Sequence, residues 1–252
     1  MIELVNAERA KYGLTRLAES VEATLLARRH ANQMARHGFV GHYDLSGRKC
    51  ELRFNMLGAR DHVAENIAYL EIGARVELSP DLVRSMFDDL LASRTHRANT
   101  LHPAHTHIGC AFSVQRSGSV TRIYLVQEFV NDWGDYDLLQ PVVQSSSGVT
   151  LHGQLRDGAQ LAYIGLAYER LPGDRTPKQV GEADLHYRQP EPSRYFEPGK
   201  EVQLLDGDEF EVNFPIDKLL GPLDVYVTVW VIAPGLEKPF RAMTQVLLLK
   251  RE

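Results

Sequence analysis

Apolar residues recur at helical spacing in three stretches of the first hundred residues, and at strand spacing in most of the chain after residue 107. The first stretch, residues 2–12, predicts a short helix ended by Gly13. Ser20 can cap a second helix running to His37, with Gly38 as its stop. Val21, Leu25, Ala31 and Met34 keep roughly to one face of it. The third helix opens at Ser79-Pro80-Asp81, a capping serine followed by proline in the first turn and an acid. Leu82, Val83, Met86, Phe87, Leu90 and Leu91 then form one broad stripe for burial.

The period changes at residue 108. Ile108, Cys110, Phe112 and Val114 alternate with other residues, as do Ile123, Leu125, Gln127 and Phe129, and Gly118 supplies a hairpin turn between the two runs. Helices followed by a hairpin predict an α+β domain over residues 1–137. Residues 138–148, with Pro141-Val142-Val143-Gln144-Ser145-Ser146-Ser147-Gly148, read as a linker. Beyond it helical periodicity vanishes. Strands are predicted over 149–155, 160–167, 210–214, 225–232 and 244–249. Both faces of 224–232 are largely apolar, as in a central strand with a neighbour on each side. Residues 149–252 are therefore expected to be an all-β sandwich, immunoglobulin-like in size and strand number.

Composition narrows the classes of function. The 252 residues are 44% hydrophobic and 24% charged, as in soluble globular proteins. The net charge is −5, and residues 1–140 carry 16 basic against 17 acidic side chains, so no nucleic-acid partner is expected. No apolar run approaches 18 residues, and no transmembrane segment is predicted. No basic and apolar leader opens the chain, so either the protein is cytoplasmic or a signal peptide has been removed. Cys50 and Cys110 can form at most one bridge, and their spacing does not decide whether they do.

Eight of the ten histidines fall within the first 107 residues. His30 and His37, seven apart on one helix, read as packing or solvated residues, as do His62 and His102 in predicted loops. His105-Thr106-His107 could present two imidazoles to one face. Asp81, Asp88 and Asp89 read as a solvated helix face. Tyr187, Tyr195, Phe196, Tyr226 and Trp230 could floor a carbohydrate site, though strand spacing favours core and edge positions. There is no Gly-x-Ser-x-Gly elbow, phosphate-cradling glycine loop, His-Glu-x-x-His or Cys-x-x-Cys motif.

Five segments in order carry a resemblance. They are Asn6-Ala7-Glu8-Arg9 with Gly13-Leu14, Ala31-Asn32-Gln33-Met34-Ala35, Gly41-His42, Ala64-Glu65-Asn66-Ile67-Ala68, and Ser93-Arg94-Thr95-His96-Arg97-Ala98-Asn99. Together with Ile108-Gly109, they resemble the CAP superfamily of cysteine-rich secretory proteins, antigen 5 and pathogenesis-related class one proteins, in its bacterial form, over residues 2–131. The resemblance implies an α-β-α sandwich and a cleft lined by two histidines and up to two acids. It also implies a divalent metal, often zinc, in some members.

By resemblance the binding cleft comprises His42, Glu65, His96 and Ser93, with His42 and His96 as metal ligands. Ser93 stands where the family has a second glutamate. The expected function is that of a secreted or envelope-associated binding protein, with a small molecule, lipid, protein or glycan, or a zinc ion, in the cleft. The β-domain would serve adhesion or positioning. Two alternatives stay open: a metal-assisted hydrolase with Glu65 as base, and a structural or interaction module with a vestigial cleft. No catalytic residue is asserted.

Overall fold

Both faces of the hairpin after residue 107 are apolar, and helices lie against each. The computed structural model describes residues 1–144, 148–216 and 222–250. They form two compact units, each interrupted along the chain. The first comprises Met1–Leu57, Val63–Val130 and Gly173–Tyr187.

Its helices are α1 (Ile2–Ala10), α2 (Val21–His37), α3 (Cys50–Asn55), α4 (Pro80–Ala92), α5 (Arg94–Thr100) and α6 (Pro177–Asp184). Its sheet contains β1 (Ala18–Glu19), β2 (His62–Ile72), β3 (His107–Ser117) and β4 (Val120–Asn131), in the order β1-β3-β4-β2. β3 and β4 pair antiparallel from His107↔Val130 to Ser117↔Val120, with Gly118 at φ 58° in the turn.

Side-chain alternation along β4 sorts the helices into layers. Tyr124 and Val126 pack with Ala27, Ala31 and Met34 of α2. Ile123 and Leu125 pack with Met86 and Leu90 of α4, and Phe129 with Val5 of α1 and Phe87 of α4. The helix starts follow the capping signals. Ser20 accepts the N–H of Ala23, Ser79 accepts that of Leu82, and Gly38 closes α2 at φ 69°.

Gly109 lets α2 lie directly on β3. A Cβ there would fall 2.1 Å from the Thr24 backbone nitrogen. The opening helix is pinned by polar side chains. Asn6 exchanges hydrogen bonds with the Leu17 backbone at 2.8 and 3.0 Å. The buried Arg9 donates to the carbonyls of Thr15, Thr100, His102 and His105, fixing the segment after α5.

The second unit comprises Gly58–His62, Asn131–Pro172 and Arg188–Glu252. Its strands are β5 (Gly134–Tyr136), β6 (Val142–Gln144), β7 (Gly148–Leu155), β8 (Gln160–Arg170), β9 (Arg194–Phe196), β10 (Val202–Leu204), β11 (Glu209–Pro215), β12 (Leu223–Ile232) and β13 (Phe240–Lys250). They form one sheet ordered β10-β11-β7-β5 and another ordered β6-β13-β12-β8-β9. Phe196 of one sheet lies 5.6 Å, ring to ring, from Phe214 of the other. β12 runs between β13 and β8, with Val225, Val227, Val229 and Val231 fully buried.

Several expectations change. The units do not follow the consecutive division 1–137, 138–148 and 149–252: residues 131–137 and 58–62 go with the second unit, and 173–187 with the first. Val142–Gln144, read as linker, is a strand paired in parallel with β13. Ser145, Ser146 and Ser147 lie outside the described residues. Helicity does not end with the first half, because α6 is a helix with Thr176 and Gln179 forming a capping box. His62 is not in a loop; it is buried at the start of β2 and bonds Thr244 Oγ1 through Nδ1 at 3.1 Å. Both cysteines are free, and burial pushes the Cys110 thiol up to about 12.

Candidate functional site

After the left-handed Gly38, the chain turns back along the end of α2, and Phe39 packs into the core beside Met34. Gly41 follows, in a place where a Cβ would sit 3.0 Å from Val180 and 3.2 Å from the Asp184 carboxyl carbon of α6. The absence of a side chain lets α6 close on this turn. The next backbone N–H, that of His42, donates to Asp184 Oδ1 at 2.6 Å. The His42 ring rests on Tyr187 with centroids 4.7 Å apart.

Glu65 comes from β2, where six consecutive residues are buried, and its side chain is fully inaccessible. His42 Nδ1 lies 3.0 Å from Glu65 Oε1; a carboxylate only accepts, so Nδ1 carries the proton and Nε2 is left as the acceptor. Arg53 of α3 donates through Nη2 to Glu65 Oε2 at 2.8 Å and to the His42 carbonyl at 3.2 Å. Burial raises the Glu65 pKa, but the charge of Arg53, aided by the hydrogen bond from His42, outweighs it and holds the carboxyl well below the usual range. Burial likewise lowers the His42 pKa, but the hydrogen bond and charge of Glu65, aided by Asp184, carry the net shift upward.

Glu128 of β4 is fully buried. Neither of its oxygens meets a nitrogen or hydroxyl donor. Burial and then the Glu65 charge push its pKa well up, so Glu128 holds its proton where Glu65 is ionised. Two carboxyls therefore share one negative charge, which stays on Glu65, the partner of Arg53 and His42.

His96 is on α5, half-buried, and Asn66 holds its backbone. Asn66 Nδ2 donates to the His96 carbonyl at 3.1 Å and to Gln127 Oε1 at 3.2 Å, and its Oδ1 accepts from Asn99. Burial lowers the His96 pKa, the charge of His42 lowers it further, and Asp184 raises it. The structure thus joins His42 and Glu65 by direct contact, with His96 and Asp184 within electrostatic reach. Ser93 is the joint between α4 and α5, and its hydroxyl meets Thr95 Oγ1 at 3.2 Å.

Zinc would use the ring nitrogens of His42 and His96. Both Glu65 oxygens are already engaged, and among the described residues no three His, Cys, Asp or Glu side chains gather as an ion requires. The donors do not fit a closed tetrahedral site. Of the second candidate pair, His105 stacks on Phe129 at 5.0 Å and bonds Asn99 Oδ1.

Sequence reasoning missed Arg53, Glu128, Asp184 and Tyr187 as site residues. Tyr187, weighed as part of a carbohydrate floor in the C-terminal half, belongs to the first unit beside His42. One local signal was available: Thr176-Pro177-Lys178-Gln179 has the form of a capping box with proline at the first helical turn.

Comparison with known proteins agrees with the segments named above. No curated protein matches. Among solved structures, an extracellular protein with an SCP domain from Bacillus anthracis is 21% identical with a TM-score of 0.40, over 52% of this chain and 39% of that one. The chain therefore spans well under half the length of that protein. An outer surface protein of Borrelia burgdorferi is 17% identical with a TM-score of 0.41, over 52% of this chain and 88% of that one. The family model for CAP, the cysteine-rich secretory protein family, matches residues 2–129, which is half of the chain. The segments that carry His42, Glu65 and His96 fall inside that match, Asp184 and Tyr187 lie outside it, and the chain belongs to the CAP family.

Proposed function

We propose that the cleft of His42, Glu65 and His96 binds a ligand without turning it over, in a protein that works outside the cell or at its envelope. The observation that carries this reading is the engagement of Glu65. Its oxygens are held by His42 and Arg53, and the side chain has no exposed surface. A general base must reach the proton it takes, directly or through one water. Glu65 instead fixes the tautomer of His42 and leaves Nε2 as an acceptor.

The cleft offers that acceptor, the imidazole of His96 and the ring of Tyr187, which suits a small molecule, lipid, or protein or glycan segment with both donor and apolar groups. The C-terminal unit, which we take as an immunoglobulin-like sandwich, would provide adhesion or positioning. Family membership supports the location, and among the described residues no helix is long and apolar enough to cross a membrane.

The test is a fragment screen by heteronuclear NMR on the intact chain, beside assays with p-nitrophenyl esters, casein and bis-p-nitrophenyl phosphate. Fragments are expected to shift the His42 and His96 ring signals and the backbone amide of Tyr187, and the Tyr187 shift should be lost in the double alanine variant. Reproducible turnover that disappears in Glu65→Gln would overturn the binding reading.

A further inference from the structure

A pocket of about 180 Å³ opens in the first unit between α2, α3 and the turn after His42. α2 contributes Arg29, His30 and Gln33 to its wall, the turn contributes Asp44 and Arg48, and α3 contributes Arg53. Three guanidinium groups thus line the pocket with one carboxylate, and with Glu65, which pairs with Arg53 behind the wall, the cluster keeps one positive charge in excess.

The Asp44 carboxylate is fully engaged. Asp44 Oδ1 accepts the backbone N–H groups of Ser46 at 2.9 Å and Arg48 at 2.8 Å, and Oδ2 accepts Arg48 Nε at 3.0 Å. The guanidinium donors are not used up. Arg53 spends Nη2 on Glu65 and the His42 carbonyl, while its buried Nε and Nη1 have no hydrogen-bond partner. Arg48 Nη1 meets only the weak acceptor Met56 Sδ, at 3.1 Å. Arg29 is solvent-exposed at the pocket wall.

His30 adds a different requirement. Its Nε2 lies 2.8 Å from the Gly41 carbonyl, which can only accept, so Nε2 carries the proton. Burial, with the charge of Arg53, keeps the ring neutral by lowering its pKa to about 3. Nδ1 is therefore a bare acceptor, and it has no partner. Buried donors and acceptors without partners are costly, and a native protein that keeps several around one cavity has something to fill it.

An occupant must be anionic to answer the guanidinium groups and must carry a hydroxyl to answer His30. Forked guanidinium donors match the oxygens of a phosphate group. We propose that this pocket is an oxyanion site, taking phosphate or a small phosphate monoester on Arg29, Arg48 and Arg53, with a ligand hydroxyl donated to His30. The pocket is lined by none of His42, Glu65, His96 and Tyr187, although Arg53 also holds Glu65, and the proposal does not depend on the function assigned to those residues.

The experiment is calorimetric titration of the intact chain with inorganic phosphate, glycerol 3-phosphate, acetate and chloride at matched ionic strength. Saturable binding is expected for inorganic phosphate and glycerol 3-phosphate, and none for acetate or chloride. Arg29→Gln and Arg48→Gln should each weaken phosphate binding at least tenfold, with the His42 ring signal unmoved. Arg48 also supports the Asp44 turn; if its variant does not fold, the exposed Arg29 variant decides alone. Equal heats for phosphate and chloride, or wild-type phosphate affinity in folded Arg29→Gln, would overturn the proposal.

Discussion

Glu65 and Glu128 are the same residue type, both buried and in contact, yet replacing each by glutamine should give opposite results. Glutamine at 65 removes the charge that meets Arg53 Nη2 at 2.8 Å. It also sets an amide donor against either Arg53 Nη2 or the His42 Nδ1–H, because one amide oxygen cannot serve both as the carboxylate does. Breaking a buried ion pair from one side costs about 3–5 kcal/mol. At a urea slope of about 2 kcal/mol/M, that moves the midpoint down by roughly 1.5–2.5 M.

Glutamine at 128 replaces a neutral acid by a neutral amide of the same shape. Its cost at pH 7 should stay below about 1 kcal/mol. The pH dependence follows from the signs. Glu65, with a depressed pKa, stabilises the fold above the ordinary glutamate range and loses that contribution as pH falls through its folded value. Glu128, with a raised pKa, favours the fold below the ordinary range and withdraws that contribution as pH rises. Glu128→Gln should therefore gain stability relative to wild type as pH rises above the ordinary glutamate range, by at most about 1.4 kcal/mol per unit of pH. All six described α-helices belong to the first unit, so urea melts followed at 222 nm report this unit. A loss under about 1 kcal/mol for Glu65→Gln, or a larger loss for Glu128→Gln than for Glu65→Gln, would refute the assignment of the charge.

Three further outcomes are expected. Gly109→Ala drives a Cβ to 2.1 Å from backbone and should cost about 3 kcal/mol in the same melts; less than about 1 would mean that α2 can slide away. His42, with its raised pKa, should keep its proton to higher pH than His96, whose pKa is lowered, and ring-carbon NMR titration that reversed this order would break the electrostatic account. The His42 contribution to stability is then complete below about pH 6.5 and fades as pH rises through its folded value. Val180→Ala removes two methyl groups from a fully buried contact and should cost about 2 kcal/mol; a change within 0.5 would show α6 to be loosely seated.

The parts of the fold legible in sequence were those with local causes. Ser20, Gly38 and Ser79-Pro80 act within one turn of chain, and the helices they frame stand where expected. β2 left no strand signature because its first six residues are buried on both faces and do not alternate. α6 was missed because eight residues give too little periodicity to register, leaving only its cap as a signal. In the site, flanking motifs singled out His42, Glu65 and His96. Arg53 and Glu128 sit 12 and 63 residues from Glu65 in sequence, with nothing nearby to mark them, and Asp184 lies 142 residues from the backbone N–H it accepts.

That last separation bears on how the protein is made. Residues 173–187 complete the first unit, yet a ribosome delivers them only after most of β5 to β8 has emerged. Until then Val180 is missing from the cluster that holds Met34 and Phe39, and the backbone N–H of His42 lacks its carboxylate. Domains usually fold in order of synthesis. Here the nascent N-terminal portion must wait, partly finished, for a segment translated some forty residues beyond the end of β4. Quality control during that interval, rather than stability at equilibrium, would then set how much protein a cell recovers when Val180 or Gly41 is altered.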